Sequence, residues 1–109
     1  MIDGLWIVRF QGPQGNGGGV VVLTNGKVLG GDGGFTYRGG FELKGDAFSA
    51  KVLVENFDST VPNVIGIVGN FELLLEGKVQ GEMIAATGAL AAAPSAKIVV
   101  RLSKRCDLS

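Results

Sequence analysis

Val20-Val21-Val22-Leu23-Thr24-Asn25-Gly26-Lys27-Val28-Leu29 sets two aliphatic runs on either side of Asn-Gly, and Gly30-Gly31-Asp32-Gly33-Gly34-Phe35-Thr36-Tyr37 follows. Asn25 and Gly26 both tolerate positive φ, and this dipeptide between β-branched runs is the signal for a two-residue type I′ hairpin. The flanking strands are therefore antiparallel. The glycines from Gly30 to Gly34 suit a corner at which the chain leaves one strand pairing and begins the next.

Outward from that stretch, period-two alternation recurs along the chain. Phe35 to Lys44 places Phe35, Tyr37, Phe41 and Leu43 on one face and Thr36, Arg38, Glu42 and Lys44 on the other, so one face is core and one is wet. Gly45-Asp46 closes a second hairpin that pairs Leu43 with Phe48, and Phe48, Ala50, Val52 and Val54 continue inward. Upstream, Gly4 to Phe10 alternates Trp6, Val8 and Phe10 against Leu5, Ile7 and Arg9. Gln11 to Gly19, rich in glycine, reads as a flexible loop, with strands from Val20 to Thr24 and from Lys27 to Gly30 after it. A phosphate loop would need a helix after the glycines, and a valine strand follows instead.

Downstream, Asp58-Ser59-Thr60-Val61-Pro62 resembles a helix entry and predicts one short helical turn over Ser59 to Ile65. Asn70 to Glu76 is the sixth strand, with Phe71, Leu73 and Leu75 inward. Val79 to Ala86 is the seventh, with Val79, Met83 and Ala85 inward after a three-residue connection at Gly77-Lys78. Ala85 to Ala93 reads as a strand end and loop, Ala96 to Ser103 as the last strand, and Lys104 to Ser109 as a frayed tail.

These eight segments predict an all-β, eight-stranded, up-and-down antiparallel barrel, lipocalin-like, with an open or split sandwich as the alternative. A barrel of that size is filled by its own side chains or holds one small ligand. The candidate interior or ligand-pocket residues are Trp6, Phe10, Tyr37, Phe41, Phe48, Phe71 and Met83.

Composition narrows the function. The chain has 109 residues, enough for one domain, and its ten basic and ten acidic residues leave no net field to attract nucleic acid or an anionic membrane. It has no histidine, which removes the commonest general base and metal ligand. No cofactor is implied, and an enzyme is disfavoured; its best case, a carboxylate pair of Glu72 and Glu82, falls on outward faces. Cys106 is the single cysteine, so no internal disulfide forms and nothing points to an oxidising compartment. With no leader-like start or membrane-length apolar run, the expected location is the cytoplasm. Glycine, at 19 residues in a chain that is 46% hydrophobic, reads as a sign of many turns.

Several segments resemble the GrlR-like family, small lipocalin-like negative regulators of type III secretion. They are Asp3-Gly4 at the first strand, Asn25-Gly26 followed by Gly30-Gly31-Asp32 with Tyr37 and Gly39 beyond, and Val61-Pro62-Asn63-Val64-Ile65. The resemblance implies a dimeric barrel that acts by binding a protein partner such as a transcriptional activator, without touching DNA. Where the family's regulator carries an acidic run, this chain has Glu42-Leu43-Lys44-Gly45-Asp46. Glu42 and Asp46 are thus either a partner-binding loop or ordinary hairpin residues.

Two function classes result: a regulatory or interaction protein, and a carrier of a small apolar molecule. The outward faces of the first three strands favour self-association. Leu5, Ile7, Val20, Val22 and Leu29 all point outward there and form a candidate homodimer interface, with internal cover by the segment around Val61 to Ile67 as the alternative.

Overall fold

The computed structural model describes residues 2–13, 15–60 and 69–108. Its strands are β1 (Gly4–Gly12), β2 (Gly15–Thr24), β3 (Lys27–Gly31), β4 (Phe35–Lys44), β5 (Ala47–Asn56), β6 (Phe71–Gln80), β7 (Met83–Leu90) and β8 (Lys97–Cys106). Each pairs antiparallel with the next, and β8 returns to β1, with Ile7 opposite Ser103 and Phe10 opposite Val100. The sheet is a closed eight-stranded barrel, as expected, and the β1–β8 ladder excludes the sandwich. No helix occurs among the described residues, and residues 61–68, on which most of the expected helical turn falls, lie outside them.

The hairpins follow the sequence closely at three places. Asn25 and Gly26 have φ of 49° and 76°, the two positive angles of a type I′ turn, and Thr24 faces Lys27 across it. Gly45 also has positive φ, and Leu43 pairs with Phe48. On β5, Phe48, Ala50, Val52 and Val54 are all buried.

Elsewhere the chain corrects the reading. Gln11 to Gly19 is a hairpin rather than a loop: β1 runs to Gly12, and Gly17, Gly18 and Gly19 pair with Phe10, Arg9 and Val8. A Cβ at Gly17 would stand 2.5 Å from the Phe10 ring, so the glycine here makes room for an aromatic lying across the strand. The β6–β7 turn is at Gly81-Glu82, where Gly81 has φ of 63°, and Gln80 faces Met83. Gly77 lies inside β6, opposite Ala86. This change of register reverses the faces of β7, so that Ile84, Ala86 and Leu90 are buried whereas Ala85 is exposed and Met83 is 49% exposed. Met83 is therefore not an interior residue.

The expected tail is also part of the sheet. Trp6 pairs with Lys104 and Leu5 with Cys106, a shift that leaves Arg105 as a bulge, and the Lys104 amide donates to the Glu82 carbonyl at 2.8 Å.

The core is the barrel interior. Among the described residues no polar or charged side chain other than the Tyr37 phenol is buried there, while the outer faces of β4 to β6 carry ion pairs between Arg38 and Glu55 (2.7 Å) and Lys51 and Glu72 (3.7 Å). Apolar inside and charged outside is the reverse of a membrane-spanning barrel. No helix among the described residues is long and apolar enough to cross a membrane.

Candidate functional site

One end of the barrel is plugged. Trp6 and Ile84 are fully buried, Leu23 nearly so, and the Trp6 indole Nε1–H donates to the Ile2 carbonyl at 2.8 Å, which draws Ile2 into the core. An indole can be buried this completely because its one donor finds that acceptor.

Beyond the plug the interior is hollow. A cavity of about 310 Å³ is walled by aliphatic residues of β5, β6 and β8, among them Val52, Val54, Leu75 and Val100, with Phe48 also on its wall. This volume lies at the small end of ligand pockets. The cavity reaches the opposite end of the barrel, where Phe10, Gly18, Asp32 and Gly33 line it and Gly18 and Gly33 are exposed.

Glycine also sets how closely strands of the wall approach one another. In β4, where Gly39 pairs with Val28 and Val52, a Cβ at Gly39 would stand 1.9 Å from the Lys51 carbonyl oxygen. Adjacent backbones thus approach closely at Gly39, which is itself exposed and does not line the cavity.

At the mouth stands the one charged side chain of the lining among the described residues, Asp32. Its Oδ1 accepts from the amides of Gly34 and Phe35, both at 2.9 Å, and its own amide donates to the Phe35 carbonyl at 2.9 Å. These bonds fold the Gly31–Phe35 corner around the carboxylate, as Asp does in turns. Its Oδ2 accepts from the Tyr37 hydroxyl. Burial, chiefly, and then the bond to Asp32 and its charge push the Tyr37 phenol well above its ordinary range, so Tyr37 is a standing donor. Phe10 meets Tyr37 edge to face, with centroids 6.4 Å apart.

The interior candidates divide accordingly. Phe10, Tyr37 and Phe48 line the cavity. Trp6 belongs to the plug, while Phe41, stacked on Phe48 at 5.8 Å, and Phe71 are half-buried against the core. In the sequence Asp32 stands only as part of a glycine corner. Its one local signal is an acid two and three residues before the amides it caps, and the pairing with Tyr37 requires the strand that follows.

Glu42 and Asp46 are both exposed: Glu42 sits on β4 opposite Ser49, and Asp46 is in the turn, its carbonyl accepting from the Val79 amide at 2.8 Å. Glu72 and Glu82 lie at opposite ends of the barrel, one at the start of β6 and the other in the β6–β7 turn, so they form no acid–base pair.

On the outer wall, register brings the five apolar candidates together. Leu5 pairs with Val22, Ile7 with Val20, and Val22 with Leu29 on its other side. Val20 and Leu29 are 48% and 49% exposed, and Leu5, Ile7 and Val22 are half-buried beside them. No protein-family model matches this chain, and no curated protein does.

Proposed function

We propose that this protein is a non-enzymatic regulatory or interaction module that works as a homodimer, similar in kind to the GrlR-like regulators its sequence resembles. The observation behind this reading is the continuous outer apolar face of β1 to β3, with Leu5, Ile7, Val20, Val22 and Leu29 on neighbouring strands. A closed barrel has no free edge for strand addition, so association must use a face. The net charge of zero provides no long-range repulsion between copies. Two-fold pairing would lay the patch on its own copy, and each aliphatic side chain fully buried contributes about 1.5–3 kcal/mol before ordering costs.

In sedimentation velocity at tens of micromolar, the protein is expected to run as a dimer and Val22→Glu as a folded monomer, since the carboxylate would be trapped without a partner. A wild-type monomer removes the dimer; a Val22→Glu chain that unfolds favours internal cover of the patch.

A second reading, that the barrel carries a small apolar molecule, is supported by the 310 Å³ interior cavity. Native mass spectrometry tests it directly: a bound small molecule on the purified protein supports it.

A further inference from the structure

Building on the carrier reading, we propose that the cavity selects an apolar molecule with a hydrogen-bond-donating head, an alcohol or an amine, and rejects the corresponding carboxylate. Among the described residues, the tail end of such a ligand would meet aliphatic and aromatic walls. The head would be at the mouth, where, among the described residues, Asp32 is the only charged group of the lining and no lysine or arginine lines the cavity.

A carboxylate offers about four acceptor positions. Three at Asp32 are taken, by the amides of Gly34 and Phe35 and by the Tyr37 hydroxyl. The remaining one, on Oδ2, can be satisfied only by a group that donates. The Tyr37 hydroxyl, with its proton committed to Asp32, likewise has only acceptor capacity left. A fatty-acid head would bring a second negative charge beside Asp32 in this part-buried site, with no cation among the described lining residues to pair with. A carboxylate held in an apolar interior needs a cation or several donors beside it, and Asp32 and Tyr37 present acceptors. An alcohol head loses nothing comparable, and an ammonium head gains a charge-assisted bond.

The test uses the full chain and displacement of N-phenyl-1-naphthylamine fluorescence by decylamine, 1-decanol and decanoate at neutral pH. The amine and the alcohol are expected to displace the probe, with decanoate at least about tenfold weaker than the alcohol. Asp32→Asn keeps an oxygen for the Gly34 and Phe35 amides and removes the charge, and should bring decanoate to within about threefold of decanol. Tyr37→Phe keeps the charge and should preserve the discrimination. Decanoate binding as tightly as decanol to the wild type overturns the proposal while leaving the carrier reading intact, and this holds whether or not Asp32→Asn folds. Discrimination that survives in a folded Asp32→Asn overturns it as well. If neither the probe nor any of the three ligands binds, the carrier reading itself falls.

Discussion

At the scale of the residue, Asp32 and Tyr37 make the interior chemically asymmetric. Tyr37 is the only tyrosine, so its ionisation can be followed alone by tyrosinate absorbance. Its folded-state phenol is held above the ordinary value of 10.0, first by burial and then by Asp32. A raised pKa means that the folded state binds the proton more tightly than the unfolded state. The contribution is fully present below pH 10 and is lost as pH rises above it, where the unfolded chain ionises and the folded one does not. Tyrosinate absorbance is therefore expected to appear together with loss of structure, well above pH 10. Tyr37→Phe should lack this part of the alkaline destabilisation. A smooth titration near pH 10 in the folded protein would show the phenol to be free. The pairing was not legible in sequence, because an acid and a phenol five positions apart meet only through the corner and the strand it starts.

At the scale of the element, turns were legible and glycines inside strands were not. Asn25-Gly26 and Gly45-Asp46 declared themselves because a two-residue hairpin demands positive φ at its centre, and few residues supply it. Gly77 and Gly81 look alike in sequence, yet only Gly81 has positive φ, while Gly77 sits where a Cβ would come within 2.1 Å of the Ala85 carbonyl oxygen. A turn at Gly77-Lys78 would slip β7 by one face and put Met83 inside, since a side-chain period of two turns any odd slip into a full reversal. Gly39 is the sharper case of a glycine required by close approach. Gly39→Ala is expected to cost about 1–3 kcal/mol, because the added Cβ meets backbone that cannot rotate away. Gly33→Ala, with nothing within 4 Å, should change little. Urea denaturation of the two variants compares them directly, and equal midpoints would show that the strands can separate at Gly39 without cost.

At the scale of the molecule, closure joins the two ends of the chain. β8 reaches Cys106 and its last residues pair with Leu5 and Trp6, beside the plug. Ending the chain at Ser103 should lower stability by about 1–3 kcal/mol through lost ladder bonds and loosened cover of Trp6. The single tryptophan reports this, since its emission should shift to the red as the indole wets. An unchanged urea midpoint would return residues 104–108 to a frayed tail. By itself the sequence determined the strand character, the antiparallel order and the faces of β1, β4 and β5, because alternation and turn chemistry are local properties that each segment carries alone. The apolar outer patch was legible for the same reason. Closure is expected from eight short strands, and the β1–β8 ladder decides it against a sandwich; tertiary structure alone decided that Trp6 plugs one end and leaves a cavity beyond it, and that Asp32 and Tyr37 meet at the mouth. Those features depend on register between strands distant in sequence and on how closely bare glycine backbones let neighbouring strands approach, and neither is written in any one segment.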